Sequence, residues 1–338
     1  MRYGRNLDLT DSLLDRYVKA LMTRLLDFLS GKNRFYTFNQ RFIDDFTKLF
    51  QNSPHLEFKT AIILQGPISR KKKFTLKIVE FYLLNYQDLE VILSTWEDQD
   101  TSDFIDLSTT GRLHFVKSEY PEFPGISNIN LQITSTQAGL EFAKTLGVKR
   151  VIKSRTDQGL VGAFALSSIE KYFEYFRTQD FDPIVALDRN SFLYRLYGIS
   201  DMFQYSTTDT LILFWNVPID SRNFEDVFNS SPKDIFDYAV RNTGETYLVT
   251  KYLSRLGESI DFTFLQHLLL LQKYFIILDS FPLGYVWNKY TKDERPWSKP
   301  EHLPHFKEIS FIDWFTLGND ATRLETEFRT LAKSYDLR

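Results

Sequence analysis

Cysteine is absent from all 338 residues. That removes disulfide scaffolding, thiolate catalysis and cysteine-ligated zinc together, and it is compatible with a reducing compartment. Charge of one sign is also missing: 41 basic residues stand against 44 acidic ones, a formal net charge of −3. Without a basic excess, no long-range field draws the chain onto nucleic acid. No uninterrupted apolar run approaches a bilayer span, and Met1-Arg2-Tyr3-Gly4-Arg5-Asn6 does not lead into a secretory apolar stretch. The expected location is therefore cytoplasmic. No GxGxxG follows the first strand-like run and no GxxxxGK[ST] occurs, which argues against dinucleotide and P-loop binding. HExxH, GxSxG and calcium-loop patterns are missing as well, which disfavours the hydrolases built on them.

What is present is enough chain for a large core. At this length roughly three quarters of the unfolded surface can be hidden without a metal or a disulfide. Aromatic residues are abundant, with 18 Tyr and 31 Phe. Most are expected to be ordinary core and helix-packing groups, and a minority can line a sugar-binding surface.

Residues 10–30 carry Leu13, Leu14, Tyr17, Val18, Leu21, Met22, Leu25, Leu26 and Leu29 at helical spacing, with Thr10 or Asp11 as cap and Gly31 as stop. Few basic residues accompany them, so a helix packed on the body is favoured over one lying on a membrane. A shorter helical pattern covers 38–50. From Thr60 the chain alternates apolar strands and helices: strand 60–65, helix 74–85, strand 89–94, strand 114–116, helix 129–146, and a strand from Val151 towards Asp157. This βα rhythm predicts a mostly parallel sheet with covered faces. Further on come a helix near 161–177, a strand at 184–187, an aromatic strand and turn over 194–205, a short apolar segment at 211–215, a helix starting at Gly244, a strand from Tyr274 to Asp279 and an amphipathic helix over 311–337. The expected organisation is a helical extension over 1–58, an α/β domain over 59–295 and a helical tail over 296–338.

Two strand ends carry the polar chemistry. Val151-Ile152-Lys153-Ser154-Arg155-Thr156-Asp157-Gln158 runs from apolar residues into an arginine and a carboxylate, and Ile62-Ile63-Leu64-Gln65-Gly66-Pro67-Ile68 is a second such end upstream. Ligands of open α/β sheets bind at the carboxyl ends of the strands, so the pair is read as a site.

The pieces Ile63-Leu64-Gln65-Gly66-Pro67-Ile68, Leu93-Ser94-Thr95-Trp96, Asn128-Ile129-Asn130-Leu131-Gln132 with Ser135 and Gly139, Lys153 to Gln158, and Tyr197-Gly198-Ile199-Ser200-Asp201-Met202-Phe203 occur in consistent order. On them the chain, from about 60 to 290, resembles the WavE lipopolysaccharide synthesis family. The resemblance implies a GT-A-like nucleotide-sugar transferase fold, a nucleotide-sugar donor and a glycan or lipid-linked glycan acceptor in bacterial surface polysaccharide. Tyr205-Ser206 stands where the family usually has a glycine, and serine tolerates positive φ less well.

Transfer of that kind needs a donor pocket, positive charge for the departing diphosphate and a base. Gln65 can meet a nucleobase edge, with Gly66 permitting close approach and Pro67 following; the alternative is a rigid strand-to-helix turn. Hydroxyls of Ser94 and Thr95 can reach ribose or phosphate, and Trp96 either stacks on ligand or covers the sheet edge. Asn128, Asn130 and Gln132 share a face only if the segment is extended as far as Gln132, just before a helix whose first turn suits a phosphate; a helix cap is the plainer account. Transferases of the implied class often hold Mg²⁺ or Mn²⁺ with Asp-x-Asp. Here the stretch is Arg155-Thr156-Asp157, so Arg155 can neutralise phosphate directly while Asp157 binds ribose or an optional metal, or the two simply form an ion pair. Arg189 and Arg195 are candidate partners of the pocket, and Lys289 another if the C-terminal part closes over it. The run Arg70-Lys71-Lys72-Lys73 is read first as a solvated face and second as a contact for phosphate or an inner-membrane surface. For the base the candidates are Glu245, which matches the acid found at a helix start in the implied class, then Asp201, then Asp209, with Asp279 also close to apolar residues. First-turn acids also occur for dipole reasons alone. Sugar-phosphate or nucleotidyl transfer, or a non-catalytic glycan-binding or scaffold role, are the alternatives. The donor reading requires Gln65, Asn130 and Arg155 to face one common hollow.

Overall fold

The computed structural model describes residues 56–162, 164–222, 237, 239–240, 243–289 and 307–334. The helices expected at 10–30 and 38–50, and residues 296–306 of the tail, lie outside the described residues. In chain order the elements are β1 (Thr60–Gln65), α1 (Phe74–Asn85), β2 (Leu89–Trp96), α2 (Ile105–Ser108), β3 (Leu113–Ser118), α3 (Ile129–Thr145), β4 (Arg150–Arg155), β5 (Gln158–Leu160), α4 (Ala165–Phe176), β6 (Ile184–Leu187), β7 (Gln204–Thr207), α5 (Thr208–Trp215), α6 (Gly244–Arg255), α7 (Phe264–Tyr274), β8 (Phe275–Leu278), β9 (Tyr285–Trp287) and α8 (Phe311–Ser334).

β1 is buried along its whole length, as a parallel strand covered on both faces must be. Each fully buried Ile or Leu in it contributes about 1.5–3 kcal/mol relative to exposure. The central sheet has seven strands in the order β3-β2-β1-β4-β7-β6-β8. Its pairings are parallel except at β7, which runs antiparallel to both β4 and β6. This is the mostly parallel α/β architecture expected. A two-stranded ribbon of β5 and β9 sits beside it.

Alternation along β4 sorts its side chains: Val151, Lys153 and Arg155 point to one face, Arg150, Ile152 and Ser154 to the other. On the second face Arg150 bonds Glu174 of α4 at 2.6 Å and lies over the rings of Phe58 and Phe173. On the first face, α3 lies against β1 and β2, and a Cβ on its Gly139 would stand only 2.7 Å from Ile63.

Two topological features position the site. The chain leaves β1 towards β2 and β3 on one side and returns to β4 on the other, which puts a switch point, the usual ligand position of such sheets, at the carboxyl ends of β1 and β4. Because β7 is antiparallel, its entry segment Asp201-Met202-Phe203 arrives at that same edge, while its far end leaves from the opposite one. The register pairs Lys153 with Gln204 and Arg150 with Thr207.

Several expectations change accordingly. The short apolar segment 211–215 belongs to α5, started by the Thr207 hydroxyl accepting from the Thr210 amide at 3.3 Å. Of the aromatic stretch 194–205, only Gln204 and Tyr205 lie in a strand. Asp209, in the first turn of α5, is exposed and stands at the end of the sheet away from Arg155, so a role as base beside Arg155 is corrected. Ser206 lies in β7 without positive φ, buried, its hydroxyl donating to the Pro183 carbonyl at 2.8 Å. Serine therefore fits where glycine was expected.

Candidate functional site

The switch point is organised by β4. Arg155 and Asp157 form a bidentate pair, Nε to Oδ1 at 2.8 Å and Nη2 to Oδ2 at 2.9 Å. The Trp287 indole donates to Asp157 Oδ2 at 3.2 Å, and the Asn288 amide donates to the Asp157 carbonyl at 2.8 Å, so the β9 ribbon straps the pair in place. Burial alone would raise the Asp157 carboxyl, but the Arg155 guanidinium and the Trp287 N–H outweigh it and hold it below its usual value. Burial would likewise lower Arg155, and Asp157, Asp201 and Tyr285 together keep its proton more firmly than usual.

Two residues before Arg155, on the same strand face, Lys153 is completely buried. Its ammonium donates to the Asp201 carbonyl and to Gln132 Oε1, and lies 4.6 Å from the centre of the Trp215 ring. Burial pushes it down to about 7; the Asp201 and Asp157 charges oppose that shift and Arg155 adds to it. Asp201 faces Glu245 in turn. Burial raises the Glu245 carboxyl above its usual value, Asp201 raises it further, and Arg195 partly offsets both.

Glu245 reaches this position because α6 begins close against the start of α3. Thr243 caps α6, its hydroxyl accepting from the Thr246 amide, and a Cβ on Gly244 would meet Ile129 at 3.0 Å and the Ile126 carbonyl at 3.3 Å. Arg155, Asp157, Lys153, Asp201, Glu245 and Arg195 thus form one electrostatically connected group at the switch point. It joins three cations, Arg155, Lys153 and Arg195, to three acidic residues, and the like-charged neighbours Asp201 and Glu245 raise the proton affinity of Glu245.

The other expected residues divide differently. Gln65 is buried and engaged at both ends, donating to Gln132 Oε1 at 3.3 Å and accepting from the Ser135 hydroxyl at 2.9 Å, so it presents no free edge to a base. Gly66 has φ +108°, which glycine tolerates and other residues rarely do; Pro67 is exposed, and its carbonyl accepts from Thr156 at 2.5 Å. The rigid-turn account of this loop is the one realised. Ser94 donates to the Ser135 carbonyl at 2.6 Å, Thr95 is buried, and Trp96 is buried under Tyr120, its ring stacked 4.4 Å away; none of the three joins the charged group.

The segment at Asn128 is not extended. Residues 126–128 form a 3-10 turn and α3 has already begun at Ile129, so Asn128, Asn130 and Gln132 do not share a face. Asn128 is exposed. Asn130 is buried and clamps two loops, donating to the carbonyls of Phe123 and Asp220 and accepting from the Asp220 amide at 2.7 Å. Gln132 alone turns towards Lys153. The common hollow expected for Gln65, Asn130 and Arg155 is therefore absent, and the donor site read from those three residues is overturned; the charged group around Arg155 and Glu245 is a different arrangement at the same end of the sheet. Arg189 bonds Ser280 and pairs with Glu308, Asp279 accepts from the Phe311 amide at 2.9 Å, and Lys289 is exposed. In the basic run, Arg70 pairs with Asp103 at 2.8 Å, and Lys71, Lys72 and Lys73 are exposed, as a solvated face is.

Lys153 was not among the candidate site residues. Its signal was available: a lysine in the middle of an otherwise apolar strand sits where charged side chains almost never go without a partner. The Asp201 carbonyl and the Trp215 face could not be paired with it from sequence.

The residues present do not fit a divalent ion at Asp157. Both carboxylate oxygens are committed, to a guanidinium and an indole N–H, and among the described residues no group of three His, Asp or Glu is placed to hold one. Among the described residues no helix is long and apolar enough to cross a membrane.

Fold and site together define an α/β protein with a cluster of charged residues at the switch point of a mostly parallel sheet. Residues 60–275 match the family described as WavE lipopolysaccharide synthesis, and the chain belongs to that family. Among curated proteins none matches it. Twelve chains of solved structures match, and two of them illustrate how distant the likeness is. One is a Bacillus anthracis protein assigned as a glucose-1-phosphate thymidylyltransferase, in complex with a sucrose, at 11% identity over 58% of this chain and 83% of that one, with a TM-score of 0.33. The other is a cytidylyltransferase from Leptospira borgpetersenii serovar Hardjo-bovis, at 13% identity over 64% and 95%, with a TM-score of 0.30. Likeness of that degree carries nothing about the activity of this chain.

Proposed function

We propose that the chain is a GT-A-like glycosyltransferase that moves a sugar from a nucleotide-activated donor onto a growing surface polysaccharide, lipopolysaccharide core or capsule, on the cytoplasmic side of the membrane. The observation that carries this reading is the grouping of Arg155 and Asp157 with Asp201 and Glu245 at the sheet's switch point. Family membership supports the pathway.

In this reading the donor diphosphate displaces Asp157 from part of the Arg155 fork, because a guanidinium pairs as readily with phosphate as with carboxylate. Glu245 takes the proton of the acceptor hydroxyl. The acceptor oxygen then bonds the anomeric carbon, the bond from that carbon to the diphosphate oxygen breaks, and the departing charge is met by Arg155. A single base on the acceptor side gives a one-step inverting displacement. The neighbouring Asp201 charge raises the proton affinity of Glu245, which strengthens it as a base. No divalent ion has a part in these steps.

The test is transfer from a panel of labelled nucleotide-sugars to isolated acceptor glycan, with and without chelator, followed by linkage analysis. A new glycosidic bond of inverted configuration, formed equally well in chelator, is expected. A phosphodiester product would replace the reading with sugar-phosphate or nucleotidyl transfer, and no product with any donor would favour a glycan-binding role.

A further inference from the structure

The buried amine of Lys153 has no part in the displacement just described, yet its surroundings are built for a cation. It meets an acceptor from each of three elements: the Asp201 carbonyl on the loop entering β7, Gln132 Oε1 on α3, and the ring face of Trp215 on α5. Those acceptors are themselves fixed. Gln132 also accepts from Gln65 at 3.3 Å, and Trp215 donates its indole N–H to Gln204, the residue paired with Lys153 across the β4 and β7 ladder, at 2.7 Å. A neutral amine can donate to two of the three at most and has no electrostatic hold on the ring.

We propose that Lys153 is a positioning residue whose ammonium form ties the Asp201 loop to β4 and so keeps Asp201 beside Glu245, and whose deprotonated form loosens that tie. The proposal deepens the transferase reading by giving the site a proton-dependent brace, and it rests on Glu245 being the base. The charged groups around Lys153 are Asp201 from the loop, Arg155 and Asp157 from the end of β4, and, beyond Asp201, Glu245 on α6 with Arg195 beside it. Gln132 on α3 and Trp215 on α5 are uncharged. Burial brings the proton of Lys153 into the physiological range, at about 7, so the brace loosens as the pH rises past neutrality.

Two measurements on the full chain test it. The first follows the ¹³Cε signals of labelled lysines against pH in the wild type, in K153M for assignment, and in D201N. D201N keeps the backbone carbonyl that Lys153 bonds and removes only the charge that supports the ammonium. One signal, missing in K153M, is expected to titrate near pH 7, and its midpoint is expected to fall by about one pH unit in D201N. The second is the pH profile of transfer. The wild type is expected to lose activity on an alkaline limb near pH 7, and K153M to be about tenfold slower with that limb gone and the acid limb kept.

A Lys153 signal that titrates above pH 9 with the other lysines, or one unmoved by D201N, overturns the proposal. So does a folded K153M that keeps the alkaline limb. A chain that transfers no sugar but shows the coupled Lys153 titration contradicts the transferase reading and supports the brace. Normal transfer with an uncoupled lysine does the reverse.

Discussion

Glu245 concentrates the chemistry at the scale of single residues. Burial and the neighbouring Asp201 charge both raise its carboxyl, and Arg195 only partly opposes them. A base must be ionised to act, so the acid limb of transfer should lie above the ordinary carboxylate range, and activity should fall as the pH drops through it. Glu245→Gln keeps the shape and removes the base; it should lower kcat by about 10²- to 10⁴-fold with little change in KM for the donor. Steady-state kinetics over pH check both. A variant retaining most of its kcat would remove Glu245 from the mechanism.

The elements explain how far the sequence could be read. Continuous apolar runs and helical spacing located β1, α1, α3 and β4 with good boundaries, because burial on both faces leaves a plain signature. The antiparallel entry of β7 was not legible. Without it Asp209 stood among the candidate bases behind Asp201, although the two stand at opposite ends of the same short strand. Spacing placed the start of α3 at Ile129, but it could not show that Asn130 is a clamp, because its partner Asp220 lies far along the chain. Arg155 and Asp157 stand out by local charge at a strand end and Glu245 by the resemblance, and the structure brings the three into one charged group; the partners of Lys153 come from distant segments and are not legible. The clamp can be measured. Asn130→Ala leaves buried carbonyl and amide groups of Phe123 and Asp220 without partners and should cost about 3 kcal/mol of stability in denaturant unfolding. Donor affinity in the folded variant should be unchanged. A weakened donor with normal stability would restore the phosphate role.

Over the whole molecule, the buried lysine couples the site to global stability. Its proton affinity is lower folded, at about 7, than the ordinary 10.5 of an unfolded lysine. Below pH 7 both states carry the proton and the cost of burying the charge is fully present. Between about 7 and 10.5 the unfolded chain binds more protons, so this contribution to stability rises with pH, and it is constant above. Comparing wild type and Lys153→Met in urea at pH 6.5 and 9.5 should therefore find the wild type gaining relative to the variant. Equal differences at the two pH values would mean that Lys153 titrates alike folded and unfolded.

The account stands or falls on whether the switch point beside Arg155 receives a nucleoside diphosphate. The direct measurement is calorimetric titration of the full chain and of Arg155→Ala with a panel of nucleotide-sugars, competed by the free nucleoside diphosphate. One donor should saturate, be displaced by its free diphosphate, and bind about 10- to 100-fold more weakly to the variant, as loss of charge-assisted hydrogen bonds requires. Saturable binding that the folded Arg155→Ala protein retains in full, or no binding by any donor, would contradict it.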